Sequence, residues 1–388
     1  MDFDLIIIGS GPGGYVAAIR GAQLGLKVAI IEKEALGGIC LNWGCIPTKS
    51  FLRSAEVLKI IQSSEKYGIK SQLGEIDISQ IVNRSRSIAK KLSSGVEYLL
   101  NKNKVKIFSG EASFKSSKTI IVKGENNVVN EISGESICIA TGGRPRQIDG
   151  IPNSSSLWFY KDALQVDQIP KRLLVVGSGA IGVEFASFFA QMGSDVSLLE
   201  SQPTILPNED LDISNFVEKQ FSNRGIKIYK NHSLLSLKER GNLFEAEIKS
   251  EDKKLALSFD KAILAIGIVG NIESLNLECL DINFSNGGIV VDEYCKTNVN
   301  NIYAIGDVAS PPWLAHKASH EGISVAEQVA GLTVNPIKKD RIPACTYCDP
   351  EIASIGITEQ EAVDKGLDFK LGIFPFSANG KAMAMGYE

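Results

Sequence analysis

Residues 5–14 read LIIIGSGPGG, an apolar run that passes directly into a turn rich in glycine. The run predicts a buried strand, and the glycines predict the start of a helix behind it. Gly9 permits the turn, Gly11 lets the backbone approach a pyrophosphate, and Gly14 lets the helix pack on the strand. The next apolar run ends at Glu32, 18 positions after Gly14. This order of strand, turn, helix, strand and acid predicts a dinucleotide-binding unit.

The same pattern occurs again further along the chain, where residues 173–182 read LLVVGSGAIG. Its three glycine positions are Gly177, Gly179 and Gly182. An acid, Glu200, follows the third glycine by 18 positions, as in the first unit. A single glycine-rich match is weak evidence, because glycine-rich turns are common. Two matches with the same internal spacing, each between apolar strands, predict two dinucleotide sites.

The acids at the ends of the two units indicate which nucleotides bind. Glu32 and Glu200 would accept hydrogen bonds from ribose hydroxyl groups. Glu200 also repels a 2′-phosphate, and the next residues, Ser201 and Gln202, carry no positive charge. The second nucleotide is therefore expected to be NAD and not NADP. The alternative, that Glu200 only solvates the end of a strand, fits the spacing less well.

Two cysteines lie shortly after the first unit, in GGICLNWGCIPTK, residues 37–49. With a helix that starts near Cys40, its thiol and that of Cys45 lie about one turn apart, within reach of a bridge. A helix N-terminus lowers the pKa of a thiol, so one sulfur can be a thiolate near neutral pH. Two buried cysteines near a turn are the weaker alternative. No metal site is predicted, because no second ligand pair has a suitable spacing.

The composition fits a folded protein with more than one domain. The chain has 388 residues, 44% of them hydrophobic, and a formal net charge of −4. Its Lys and Arg residues are scattered, which argues against a nucleic-acid-binding face. No apolar run approaches the roughly 20 residues that cross a bilayer, and the N-terminus has no basic leader. A cytoplasmic protein without membrane contact is therefore expected, and in a reducing cytosol a disulfide is more often catalytic than structural.

With these motifs the chain resembles the pyridine nucleotide–disulfide oxidoreductases. The resemblance rests on the cysteine motif, on both glycine fingerprints, and on ATGGRP at residues 140–145, AIGD at 304–307 and LAHKA at 314–318. It extends over the whole chain, and the cysteine motif is specific to the family. Within the family the chain looks most like the members that oxidise dihydrolipoamide to lipoamide with NAD, as a component of 2-oxo acid dehydrogenase complexes.

The resemblance implies a catalytic role for four residues. Cys40 would exchange with dihydrolipoamide, and Cys45 would face the flavin as a thiolate. Lys49 would lie near the flavin N5 edge and pair with Glu184, since a cation there stabilises a reduced flavin. Electrons would pass from Cys45 to FAD, and hydride would pass on to NAD. An ordinary solvated lysine is the alternative for Lys49.

The resemblance also implies the residues that hold the cofactors. Asp307 would bond the ribityl chain of the flavin, and Leu314 and Ala315 would offer backbone groups to its pyrimidine edge. The remaining implied contacts are Gly9, Gly11, Gly14, Glu32, Lys49, Thr141 and Gly142 for FAD, and Gly177, Gly179, Gly182, Glu200 and Gly267 for NAD.

The predicted fold class is α/β, with two Rossmann-like dinucleotide-binding domains, for FAD and NAD, and the start of an α+β dimerisation domain. The predicted boundaries are 1–148 for the first part of the FAD domain, 149–269 for the NAD domain, 270–342 for the second part of the FAD domain, and 343–388 for the interface domain. The implied partners are a second copy of the chain and dihydrolipoamide carried on the lipoyl domain of an acyltransferase.

The sequence departs from the family pattern at its C-terminal end. The family's catalytic base is a histidine near the C-terminus, oriented by a glutamate a few residues later. None of the three histidines, His232, His316 and His320, lies in such a motif. We therefore expect an interface domain that is cut short and a chain with weak or no turnover by itself. A homodimer is expected of the full-length form.

A CxxC at Cys345 and Cys348 is a further departure, and two free thiols on a strand are expected there more than a second redox pair. Two other functions stay open. One is another flavin disulfide reductase, for glutathione-like or mercuric substrates. The other is a truncated FAD-binding subunit that serves assembly.

Overall fold

The structure is a computed structural model that describes residues 1–124, 128–151, 154, 156–240, 243–251 and 253–387. The predicted domains therefore include a few residues outside the described ranges, Glu388 among them. The strands are β1 (Phe3–Ile8), β2 (Val28–Glu32), β3 (Lys106–Ser109), β4 (Glu111–Ser116), β5 (Thr119–Lys123), β6 (Val129–Ile139), β7 (Gly143–Pro145), β8 (Leu157–Trp158), β9 (Arg172–Val176), β10 (Asp195–Leu199), β11 (Lys227–Tyr229), β12 (Ser233–Arg240), β13 (Leu243–Ser250), β14 (Lys253–Phe259), β15 (Lys261–Leu264), β16 (Ile268–Gly270), β17 (Phe284–Ser285), β18 (Gly288–Ile289), β19 (Ile302–Ala304), β20 (Ala344–Thr346) and β21 (Ile352–Ser354). The α-helices are α1 (Pro12–Gln23), α2 (Gly38–Asn42), α3 (Cys45–Gln62), α4 (Ile78–Lys102), α5 (Tyr160–Ala163), α6 (Ala180–Gln191), α7 (Leu211–Asn223), α8 (Ala315–Val329), α9 (Glu359–Asp364) and α10 (Gly380–Met385).

The first glycine fingerprint lies in a sheet whose parallel strands follow the order β3–β2–β1–β6–β19. Strand β1 is buried on both faces, with Leu5 and Ile7 in one hydrophobic cluster and Ile6 and Ile8 in another. Burial on both faces explains its unbroken apolar run, because a parallel strand of this kind has layers packed on each side. The first half of β6 pairs instead with β5, and β5 with β4, in antiparallel register.

The second fingerprint lies in a matching parallel sheet with the order β11–β10–β9–β15–β8. An antiparallel sheet of β12, β13 and β14 adjoins this unit in the chain. A short antiparallel ladder joins β7, which follows the first sheet, to β16, which follows the second. The predicted α/β class with two Rossmann-like units is therefore confirmed.

The helices around the cysteine motif differ from the prediction of one helix beginning near Cys40. Helix α2 ends at Asn42, and α3 begins at Cys45. Between them Gly44 has φ −132° and ψ −110°, which is outside the helical region. This break places Cys45, and not Cys40, at the first position of a long helix.

The helical region that follows the cysteine motif is interrupted. Helix α3 ends at Gln62, and α4 begins only at Ile78, where the Asp77 carboxylate accepts the N–H of Gln80 at 3.1 Å as an N-cap. Within the described ranges, no helix has the length and apolar character needed to cross a membrane.

Candidate active site

A continuous cavity of about 1900 Å³ connects both glycine fingerprints with the cysteine motif. A site for a drug-sized ligand occupies roughly 300–1,000 Å³, so this cavity is large enough for two dinucleotides. Gly14 and Gly182 lie outside its lining. The predicted site residues that do line it are Gly9, Gly11, Glu32, Cys40, Cys45, Lys49, Thr141, Gly142, Gly177, Gly179, Glu184, Glu200, Gly267, Asp307, Leu314 and Ala315.

The second and third glycines of each fingerprint differ in their surroundings. A Cβ on Gly14 or Gly182 would overlap a carbonyl oxygen of its own turn, so these two glycines let the helix lie against the strand end. A Cβ on Gly11 or Gly179 would meet nothing within 4 Å. Both of these residues are helix N-caps without a capping side chain, which leaves the first N–H groups of α1 and α6 for another partner. This open cradle at a helix N-terminus suits a pyrophosphate.

Glu32 and Glu200 each bind the serine of the glycine-rich turn in their own unit, with the same hydrogen bonds. The N–H and Oγ of Ser10 donate to Glu32 Oε2 at 2.9 and 2.6 Å, and those of Ser178 donate to Glu200 Oε2 at the same 2.9 and 2.6 Å. The N–H of Gln202 donates to the other oxygen of Glu200 at 2.8 Å. Burial opposes ionisation, but these hydrogen bonds prevail and lower the pKa of Glu200. Its carboxylate is therefore charged at neutral pH.

Cys40 and Cys45 form a disulfide, with their Cα atoms 4.7 Å apart. Cys45 is the first residue of α3, so the positive end of the helix dipole lies at its sulfur side. Lys49 follows one turn later on the same helix face. Both features favour a thiolate at Cys45 once the bond is reduced.

Lys49 and Glu184 join α3 to α6. Lys49 Nζ lies 2.9 and 3.1 Å from the two carboxylate oxygens of Glu184, whose side chain is only 7% exposed. The pairing that the resemblance implies is thus present. A third member, Tyr347, was not predicted. Its N–H donates to Glu184 at 2.9 Å, and its ring centre lies 4.4 Å from Lys49 Nζ.

A buried ion pair supports the turn that carries Asp307. Lys317 Nζ lies 2.8 Å from Glu321 Oε1, and both side chains are almost inaccessible. Glu321 also accepts the N–H of Gly306 at 2.8 Å, and Lys317 donates to the carbonyl of Ser310 at 2.7 Å. Both ends of the Asp307 turn are therefore fixed to α8.

Helix α8 also presents its own N-terminus to the cavity. Leu314 is its N-cap and has no capping side chain, and Ala315 is its first helical residue. Just after the end of β6, Thr141 Oγ1 donates to the carbonyl of Asn271 at 2.7 Å, which fixes the turn at Gly142. Backbone donors and a fixed turn thus face the same space.

Asp307→Asn should stabilise the flavin-free protein at high pH. Burial raises the pKa of Asp307 to about 6, with Lys317 lowering it and Glu321 raising it further. An acid whose pKa is raised by folding stabilises the protein at pH values below its unfolded-state pKa. That contribution is lost as the pH rises through about 6, the pKa of the folded state. We expect the substitution to raise the free energy of unfolding by about 2 kcal/mol at pH 8 and hardly at all at pH 4, as measured by urea unfolding. Exposed Asp368→Asn is the control, and an equal gain at both pH values would contradict the expectation.

Both cysteines of the CxxC and two of the histidines can also be located. Cys345 lies on β20, exposed and at the cavity, whereas Cys348 lies beyond the strand and is buried; both are free thiols. Burial raises the pKa of Cys348 to about 12. His316 Nε2 lies 2.7 Å from the carbonyl of Pro343, and His232 Nδ1 lies 2.6 Å from that of Lys230.

Known proteins resemble this chain in sequence and in fold. The family model described as "Pyridine nucleotide-disulphide oxidoreductase" matches residues 3–322, and the dimerisation domain of the same family matches residues 342–388. The dihydrolipoyl dehydrogenase of Zymomonas mobilis subsp. mobilis is 48% identical over 387 residues, which cover 99% of this chain and 83% of that protein. The dihydrolipoyl dehydrogenase of Rhizobium etli is 47% identical over 406 residues, covering 100% and 84%.

The crystal structure of LpdA from Mycobacterium tuberculosis superimposes with a TM-score of 0.91 at 26% identity, over 99% of this chain and 84% of that one. The match of the family model to most of the chain, together with the two relatives, confirms the resemblance drawn from the cysteine and glycine motifs. The chain belongs to the pyridine nucleotide–disulphide oxidoreductase family.

Proposed function

We propose that this chain is a dihydrolipoyl dehydrogenase, which oxidises dihydrolipoamide to lipoamide with FAD and NAD as cofactors. The observation that carries the proposal is the Cys40–Cys45 disulfide, which lines one cavity with both dinucleotide fingerprints. The names of the two relatives, at 48% and 47% identity, support the choice of substrate.

The residues present fit both cofactors. In the first unit, Gly11 and the α1 N-terminus would hold the FAD pyrophosphate, Glu32 the adenosine ribose and Asp307 the ribityl chain. In the second, Gly179 and the α6 N-terminus would hold the NAD pyrophosphate, and Glu200 its ribose. Bound FAD supplies a two-electron acceptor that hands a hydride to NAD.

The cysteines carry the exchange with substrate. A thiolate of dihydrolipoamide attacks Sγ of Cys40, the S–S bond breaks, and Cys45 leaves as a thiolate. The second substrate thiol then attacks the mixed disulfide, which releases lipoamide and leaves Cys40 reduced. The two electrons of the substrate thus reside on the cysteine pair. Of the two substrate protons, one stays on Cys40 and the other passes to a base or solvent.

Lys49 has a positioning and electrostatic part in this proposal. Its ammonium group lies one turn from Cys45 and is held in place by Glu184 and by the ring of Tyr347. A fixed positive charge there favours the Cys45 thiolate, and it favours negative charge on the neighbouring cofactor.

The proposal extends to assembly. The match to a dimerisation domain at residues 342–388 supports a homodimer. Dihydrolipoamide would arrive on the lipoyl domain of an acyltransferase, in a cytoplasmic 2-oxo acid dehydrogenase complex. The four predicted domain segments are part of the same proposal.

The test is turnover by the FAD-loaded protein with dihydrolipoamide and either nucleotide. We expect NAD to be reduced roughly a hundredfold faster than NADP, because the buried Glu200 carboxylate would oppose a 2′-phosphate. Faster reduction of glutathione disulfide with NADPH would favour another flavin disulfide reductase. Bound FAD without any reduction of Cys40–Cys45 by dihydrolipoamide would favour a noncatalytic subunit.

A further inference from the structure

Arg86 of α4 contacts the short loop between the two redox cysteines. Its Nη2 donates a hydrogen bond to the carbonyl oxygen of Asn42. Its guanidinium carbon lies 4.0 Å from the ring centre of Trp43, a stacking distance. Asn42 and Trp43 are two of the four residues that separate Cys40 from Cys45.

The loop residue that Arg86 binds is itself fixed. The side chain of Asn42 is buried, and its Nδ2 donates to the carbonyls of Leu36 at 3.0 Å and Gly38 at 2.9 Å. The end of α2 is thus fixed from within by its own chain and from outside by α4. Arg86 ties this end to a helix that lies outside the motif.

Stability by itself does not account for an arginine at this place. Burial lowers the pKa of Arg86, and within the described part of the chain its Nε is a buried donor without a hydrogen-bond partner. Such an unpaired buried donor destabilises the fold. A side chain that only filled the space would not have this destabilising effect. The contacts with Asn42 and Trp43 therefore indicate a role that depends on the geometry of the loop.

We propose that Arg86 is a positioning residue for the redox-active disulfide, holding the Asn42–Trp43 loop in one geometry whether Cys40 and Cys45 are bonded or reduced. When the S–S bond opens, the covalent tie between α2 and α3 is lost. Arg86 then limits the freedom of the loop and keeps the two thiols at a high effective concentration. Closure of the disulfide is favoured as a result.

This inference rests on the proposed redox role of the cysteines, and it is tested without the physiological substrate. The FAD-loaded protein is equilibrated anaerobically with mixtures of reduced and oxidised dithiothreitol. Reduced dithiothreitol passes two electrons and two protons to Cys40–Cys45 and becomes its own cyclic disulfide. Alkylation and mass spectrometry then give the fraction of Cys40 and Cys45 that is bonded.

Arg86→Met should shift this equilibrium about tenfold towards the dithiol. The charge-assisted bond to Asn42 forms without further loop ordering when the disulfide is closed, so its loss weakens the bonded state more than the reduced one. Arg86→Lys keeps the charge but lacks the planar stack. Its dithiol–disulfide equilibrium should lie between those of Arg86→Met and the parent. Trp43→Leu, which leaves the bond to Asn42, should shift the equilibrium in the same direction by a smaller factor.

Arg84→Met is the matched control. Arg84 lies on the same helix and its Nη1 donates to the carbonyl and Oγ of Ser50, at 3.2 and 2.8 Å, in α3 and not in the loop. Arg84→Met should lower the thermal unfolding midpoint and leave the dithiol–disulfide equilibrium of Cys40 and Cys45 unchanged. The proposal is overturned if Arg86→Met stays within twofold of the parent, or if Arg84→Met moves the equilibrium equally. Loss of dihydrolipoamide turnover in the parent, with the dithiothreitol shift intact, would count against the proposed function alone.

Discussion

Cys45→Ser should lower dihydrolipoamide turnover by a factor on the order of a thousand or more, because in the proposed cycle every electron pair passes through the Cys45 sulfur. The substitution keeps the size and polarity of the side chain, so FAD should remain bound. Cys345→Ser is the matched control, since Cys345 is a free thiol at the same cavity. It should retain the parent's rate.

The two disulfide cysteines can be separated by their spectra. Cys40→Ser leaves Cys45 as a free thiolate at the start of α3, and we expect long-wavelength charge-transfer absorbance with bound flavin in that variant. Cys45→Ser should lack this absorbance even after two-electron reduction. Absorbance that survives in Cys45→Ser would mean that the roles of the two thiols are reversed.

Gly182→Ala and Gly179→Ala should fail in different ways, although each adds one methyl group to the same turn. A methyl on Gly182 overlaps a backbone carbonyl oxygen, so α6 must move away from β9. We expect a loss of about 3 kcal/mol or more in the free energy of unfolding. A methyl on Gly179 meets no protein atom within 4 Å, so this variant should remain as stable as the parent.

The expected defect of Gly179→Ala is in NAD binding, because the methyl occupies the space proposed for the pyrophosphate. Affinity should fall about tenfold or more, measured by titration of the FAD-loaded protein with NAD. The equivalent substitution Gly11→Ala should leave NAD affinity unchanged and reduce FAD retention. Normal NAD affinity in Gly179→Ala would remove this glycine from the proposed site.

Local patterns predicted the fold class and the family well. The turn geometry of a dinucleotide unit is set within ten residues, so Gly9, Gly14 and their counterparts can be identified without knowledge of any distant contact. The cysteine motif behaves in the same way, and the structure contains the Cys40–Cys45 bond. The roles assigned to individual site residues stay predictions.

Contacts between distant segments could not be predicted. Tyr347 reaches Glu184 across 163 positions, and nothing in the spacing around Tyr347 marks it as a neighbour of α6. Arg86 likewise lies 44 positions from Asn42. The break between α2 and α3 was not predicted, because the backbone at Gly44 leaves the helical region, which a glycine allows but does not signal.

The meeting of Lys49, Glu184 and Tyr347 has a consequence for the way the chain acquires its structure. Each of the three comes from a separate stretch of a chain that the ribosome makes from one end to the other. A nascent chain that ends before Tyr347 has formed both parallel sheets but leaves the buried Glu184 carboxylate without one of its donors. Domains fold as they emerge, so the junction between α3 and α6 is complete only after the segment that carries Tyr347 has been made. A segment made after both sheets therefore completes the contact between α3 and α6.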